Sequence, residues 1–500
     1  TTLATSLSAP HRAVAGWSRR LGEHVPQATP PTATETEAMR RRFTRLSAWA
    51  GSLLVVLALA GRGLAHSGGL RGVAPESLSV PTWLFLATGG GVVGASFLLA
   101  SFVTDRTFLR RLDTWRGPAL DVGRVARLVA RVVGVAALVL VLATGLLAGS
   151  VTPLDPVRNA ATLMVWVGWW GVFVASTYLV GDAWPALNPF RTVAQLLPSL
   201  DRSYPRQLGS WPAVGGILGL VFVEVVTPLA DDPRLLAGVV AGYGVSTVAG
   251  AVVFGPTTWF ETADPLSRLA RAYGRIAPVR RSDGRLTLRL PGSGASSAAW
   301  VTGRDDAALV VAVVFATTYD GFVGTDLWQA VARPFVLAGV PPLLLYVGLL
   351  VVGFALFHGS LLAAGRLARQ SAETFLTADA LVRRFAPSLL AIAAGYHLAH
   401  TVGTTLALLP TTLVVVAAPF GPPAAPPTLV VPDWFAGVGI VAVLAGHLLA
   451  VWIAHTAAYD LFPDRLQAVR SQYGITAVMV VFTMVALWIV TTPGGAPPYL

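Results

Sequence analysis

The chain has no cysteine, and all 36 of its basic side chains are arginine. The first absence excludes disulfides, iron–sulfur ligation, thiolate zinc sites and thiol nucleophiles. The second excludes a Schiff base, a pyridoxal site and the lysine of a phosphate-binding P-loop. Charge of either sign is scarce, at 12% of 500 residues, where a soluble domain carries about 25%. A chain this poor in charge cannot cover its surface against water. HExxH, a Gly-rich dinucleotide fingerprint and a GxSxG elbow are also missing.

What is present is apolar. Hydrophobic residues make up 54% of the chain and mean hydropathy is +0.65. Apolar runs fall near 46–60, 83–103, 127–149, 161–180, 211–229, 235–255, 307–323, 334–358, 385–409, 435–457 and 473–491. Most approach the ~20 residues that a bilayer-spanning helix needs. Backbone groups in lipid must bond internally, so the runs predict helices. The expected fold is an all-α polytopic bundle in the cell membrane. It has eleven helices, or ten if the first run is a cleaved signal.

Residues 1–39 are polar and lack periodicity, which predicts a disordered tail or residues upstream of the true start. Residues 40–66 pair Arg40-Arg41-Arg42 with a short apolar run and a small-residue end. That pattern fits a signal peptide cleaved after Ala65, or a retained anchor. Residues 67–500 then form the bundle.

Arginine bias orients it. With the N-terminus inside, the inner loops 104–126, 181–210, 256–306, 359–384 and 458–472 hold 22 arginines and the N-terminal tail holds 7. The outer segments hold 5. The C-terminus is then outside. The net charge of +11 suits loops lying on anionic head groups, so lipid and not nucleic acid is the expected partner. Within 256–306, Ser282-Asp283-Gly284 followed by Leu286-Thr287-Leu288 predicts a small hairpin. The proline-rich segment 410–434 predicts an extended outer cap.

Ionisable groups inside spans cost roughly 2.5–3.5 kcal/mol each, so they are the best functional pointers. His397 and His400 fall near the middle of the ninth run and His447 near the middle of the tenth, at similar depth. His455 follows eight residues after His447. Glu224 and Asp320 lie in the outer halves of the fifth and seventh runs. Imidazoles at this depth suit copper, zinc or iron. His400 with His447 could also hold haem b between facing helices. A proton or substrate pathway, and plain interhelical hydrogen bonding, fit the same residues. If cleavage follows Ala65, His66 becomes an N-terminal amine–imidazole copper chelate. Otherwise it is a polar residue after an anchor. Asp182, Asn188 and Arg191 sit in an inner loop rich in turn formers, and an aromatic belt accounts for the neighbouring tryptophans.

Several segments together resemble a family. They are His66-Ser67-Gly68 with Val80-Pro81-Thr82-Trp83, Gly181-Asp182-Ala183-Trp184 with Asn188-Pro189-Phe190-Arg191, and Trp211-Pro212-Ala213 running to Glu224. Tyr319-Asp320-Gly321-Phe322, Tyr396-His397-Leu398-Ala399-His400, Gly446-His447 with Ala454-His455, and Arg470-Ser471-Gln472-Tyr473 follow in order. This order resembles the fenitrothion hydrolase-like polytopic membrane proteins over roughly residues 64–491. The resemblance implies hydrolysis of an organophosphate ester. It places His400, His447, His455, Asp320 and Glu224 on family positions, while His397 is particular to this chain. Ala65-His66-Ser67 stands where the family commonly has Ala-His-Gly. The Ala-His start is also similar to that of periplasmic copper-handling proteins.

Three expectations follow. One is a metal-dependent hydrolase or other metalloprotein, with His400 and His447 as ligands, Asp320 or Glu224 as ligand or base, and His455 as a proton route. The second is a transporter of protons, metal ions or a small solute. The third is a structural subunit of a larger membrane complex with unknown partner subunits.

Overall fold

The computed structural model describes residues 105–500, apart from 122, 283–284, 297–299 and 493–494, together with Gly91, Gly94, Leu98 and Val103. The expected tail 1–39, the segment 40–66 with His66 and the first apolar run, and all of the second run but those four residues lie outside the described residues. Each of the other nine runs falls on a helix. These are α2 (Arg124–Leu146), α3 (Ala160–Leu179), α4 (Trp211–Val226), α5 (Pro233–Phe254), α7 (Arg304–Val323), α8 (Pro342–Ser371), α9 (Leu389–Ala417), α10 (Ala436–Leu461) and α11 (Tyr473–Thr491). Eight of these regions are long and apolar enough to cross a membrane, and α4 is a shorter apolar helix. The chain is therefore a multi-pass helical membrane protein.

Helices outnumber spans because the connections are helical too. Among them are α1 (Arg106–Thr114) and α6 (Pro265–Gly274). Scarce acids serve as caps. Asp105, Asp155, Asp232, Asp264 and Asp464 each accept backbone N–H groups at a helix start, satisfying donors that have no partner within the helix. This leaves few carboxylates whose purpose local structure does not explain.

The connections sort into two ends. Strands β1 (Ala119–Asp121), β2 (Val279–Ser282) and β3 (Arg285–Leu288) form an antiparallel sheet in the order β1-β3-β2. The expected hairpin is thus present, and it also ties loop 104–126 to loop 256–306. Val279 N–H donates to Val180 O at 2.8 Å, and Arg304 pairs with Asp379. Arg384 pairs with Asp460 at 2.6 Å. Ser210 N–H donates to Asp305 Oδ2 at 2.6 Å, so all five arginine-rich loops are joined. At the opposite end, Arg158 donates to Pro423 O at 3.0 Å and Gly495 N–H to Gly324 O at 2.7 Å.

Two boundaries differ from the sequence expectation. The run at 334–358 splits, because Gly339 takes φ +88° and Pro342 restarts the chain as α8, which continues to Ser371. Helix α9 runs through Pro410 to Ala417, so the proline-rich cap begins later than 410. The cap folds back on the helix. Leu429 N–H donates to Ala407 O at 2.9 Å and Thr411 Oγ1 to Pro427 O at 2.6 Å. These bonds occupy the turn that Pro410 weakens.

One clamp at the arginine-rich end sets helix register. Asp306 Oδ1 accepts from Ser210 Oγ and Arg268 Nη2, each at 2.7 Å. Its Oδ2 accepts from Thr302 N and Oγ1 at 2.8 and 2.9 Å. The start of α4, the middle of α6 and the start of α7 are therefore pinned to one carboxylate.

Candidate functional site

From the clamp, α4 and α7 run side by side. Fourteen residues separate Ser210 from Glu224, and fourteen separate Asp306 from Asp320. At 1.5 Å per residue both acids stand about 21 Å from the clamp, at one depth. Helix α9 brings His400 to the same place, with its Nε2 3.5 Å from Asp320 Oδ2. Asp320 also lies close enough to Glu224 to act on it electrostatically.

These three groups line one cavity of about 600 Å³. Its other walls come from α2, α3, α5 and α6, and nearly all are apolar or aromatic. No arginine is among the described lining residues. Val133 and Leu413 line it and are also more than half exposed, so it reaches the surface that lipid would cover.

The aromatic wall was not anticipated as part of a site. Residues Met164–Phe173 within α3 form a π-helix. Such stretches are rare and frequent at functional sites. This one presents Trp166, Trp169, Trp170 and Phe173 to the cavity, and Trp184 joins them from the next connection. An aromatic belt does not describe these residues. The spacing i, i+3, i+4, i+7 from Trp166 is the available sequence signal, since it marks one helix face.

Several buried polar atoms on this wall lack a hydrogen-bond partner. They are four donors, the indole nitrogens of Trp166, Trp169 and Trp184 and the hydroxyl of Tyr396, together with Nε2 of His397 and of His400. Tyr396 is 3% exposed, and its ring stacks on His400 with centroids 5.7 Å apart. Its hydroxyl occupies the space where a Cβ on Gly321 would stand, next to Asp320. A buried donor left unmade costs about 1–3 kcal/mol. Four of them on one wall point to something polar or charged within.

His397 lines the cavity as well but is fixed by its neighbours. Its Nδ1 meets Tyr178 Oη at 2.9 Å, and Trp170 packs edge-on at 4.7 Å.

The other expected residues lie elsewhere. His447 is fully buried, with Nδ1 2.8 Å from Thr483 Oγ1 and its ring bonded to the Met479 backbone. His455 bonds Gln472 Oε1 at 3.1 Å and Val103 O at 2.6 Å. Both imidazoles hold helices together. Helices α9 and α10 also meet backbone to backbone, because a Cβ on Gly446 would stand 2.5 Å from Ala391 O and 3.0 Å from Gly395 Cα. That contact leaves no room for a porphyrin between His400 and His447. Among the described residues no three His, Asp or Glu side chains converge as metal ligands.

Asn188 caps the short helix Pro189–Ala194, accepting from Arg191 N–H at 3.0 Å, and donates to Ser267 Oγ at 3.2 Å. Asp182 accepts from Trp184 N–H at 2.9 Å. These turns seat Trp184 and Phe190, which do reach the cavity. Burial raises the Asp182 carboxyl to about 6, against the pull of Arg271, Arg191 and Arg275. An acid whose folded value lies above its unfolded one weakens the fold as pH rises from about 4 to 6. Asp182→Asn should therefore raise the melting temperature at pH 7.5 and leave it unchanged at pH 4. The full shift is worth at most about 3 kcal/mol, and partial exposure reduces it to roughly 1–2. A thermal scan with equal effects at both pH values would contradict this.

Compared with family models, curated proteins and solved structures, the chain matches none.

Proposed function

We propose that the protein is a transporter that exchanges protons for a small solute across the cell membrane, with its arginine-rich end cytoplasmic. One observation carries the reading: two carboxylates and the His400 imidazole, from three helices, share an apolar cavity with no arginine among its described lining residues. His400 can neutralise one carboxylate. The other needs one further positive charge, because an unpaired ion in such surroundings is costly. A proton supplies that charge when the cavity is empty. A solute that displaces the proton couples the two movements.

The test uses proteoliposomes with a lumenal pH dye and a panel of cationic, neutral and anionic organic solutes. At least one class should drive a protein-dependent pH change that Glu224→Gln and Asp320→Asn both abolish. No response to any class, or unchanged responses in both variants, would defeat the reading.

Ester hydrolysis is a second reading. It is supported by the same convergence, since Glu224, Asp320 and His400 are three of the five positions that match the fenitrothion hydrolase-like pattern. The apolar wall would accept a lipophilic aromatic ester, and Asp320 would orient His400 to take a proton from the attacking water. Release of nitrophenol from an aromatic phosphotriester, lost in His400→Gln, would favour it over exchange.

A further inference from the structure

The cavity also carries information about what it holds. We infer that its ligand is a lipophilic organic cation, of the size and aromatic character of a tetraphenylphosphonium ion. The inference rests on the exchange reading for its site and goes beyond it in naming the ligand class.

Three features lead there. The first is charge. Glu224 and Asp320 face the His400 imidazole, while His397 is turned to the Tyr178 hydroxyl and no arginine is among the described lining residues, so the site is short of positive charge and an anion would be repelled. The second is composition. A bare metal ion of the calcium or magnesium type needs about six oxygen ligands. This wall offers two carboxylates, the Thr317, Thr401 and Thr412 hydroxyls and two phenols among some thirty apolar residues. Those hydroxyls are already engaged in part: Thr317, Thr401 and Thr412 each donate to a backbone carbonyl of their own helix. The third is the aromatic wall. Trp166, Trp169, Trp170 and Trp184 all line the space. Tryptophan is the best aromatic partner for a cation, and a desolvated contact is worth about 2 kcal/mol.

Size agrees. A space of about 600 Å³ lies within the range of small-molecule sites, roughly 300–1,000 Å³, and far exceeds what a dehydrated metal ion fills. The exposed Val133 and Leu413 at its margin give an apolar ligand a route from the bilayer. The unpartnered hydroxyl of the buried Tyr396 packs against Gly321, the residue after Asp320, and its ring stacks on His400.

The measurement is equilibrium dialysis of the full chain in detergent, with empty micelles subtracted. The probes are tetraphenylphosphonium and tetraphenylborate, which share shape and differ in sign of charge. The phosphonium should bind at least about tenfold more tightly than the borate, and Glu224→Gln should weaken it by at least about tenfold, roughly 1.4 kcal/mol. Equal or tighter borate binding, or a smaller loss in Glu224→Gln, overturns the inference. Should the variant fail to fold, the comparison of the two probes on the wild-type chain decides alone. If only neutral or anionic solutes drive proton movement in vesicles, the ligand class is wrong and exchange stands. If the phosphonium binds as expected and no solute moves protons, exchange is wrong and the ligand class stands.

Discussion

Gly446→Val should leave almost no folded protein. A Cβ at Gly446 would meet the Ala391 carbonyl oxygen at 2.5 Å, and one at Gly395 would meet the Ala442 carbonyl oxygen at the same distance. Both obstacles are backbone, so no rotamer change relieves them. Small residues of this kind let helices approach closely in a bilayer. Separating α9 from α10 would also pull His447 from Thr483 and displace His400 from Asp320. Overpacking a core costs typically 1–3 kcal/mol where side chains can adjust, and a backbone clash belongs above that range. Gly219→Ala is the matching control. Nothing lies within 4 Å of its Cβ position, and alanine is favoured over glycine in a helix by about 1 kcal/mol. Size-exclusion profiles and thermal scans in detergent should show collapse for Gly446→Val and an equal or higher melting temperature for Gly219→Ala. A monodisperse Gly446→Val protein of wild-type stability would mean that α9 and α10 do not cross there.

Breaking the clamp should have an effect of similar size with a different signature. Asp306→Ala removes five hydrogen bonds and leaves Arg268 buried beside Ser210. Removing one partner of a buried pair costs about 3–5 kcal/mol, mostly from the charge left behind. Arg268→Leu combined with Asp306→Ala should therefore recover part of the loss, and the coupling between the sites should exceed about 1 kcal/mol. The clamp also sets the register that brings Glu224 level with Asp320. Even a folded Asp306→Ala protein should lose solute-driven proton movement. Additive single-variant effects, with proton movement intact, would show that register is fixed elsewhere.

Much of this was legible in the sequence. Nine apolar runs fall on helices because lipid requires internally bonded backbone. The grouping of loops by arginine content is repeated in their bonds to one another. Glu224, Asp320 and His400 stood out because a charge in an apolar run demands a reason. Their convergence depends on Ser210, Arg268 and Asp306, which lie in connections where residue type alone does not reveal partners. His447 and His455 carried the same intramembrane signal, yet Thr483, Gln472 and two backbone carbonyls satisfy them. Depth along a helix does not say which neighbour a ring faces. The tryptophans of α3 carry no charge and so gave no comparable signal. The π-helical turn that gathers them has no simple composition signature.

In the exchange reading the cavity holds one additional positive charge at a time, a proton or a cation. Proton release on ligand binding tests it most directly. Purified protein in weakly buffered detergent, titrated with tetraphenylphosphonium, should release about one proton per cation bound, and Glu224→Gln should release none. Cation binding with no proton released, or the same release from Glu224→Gln, would contradict the account.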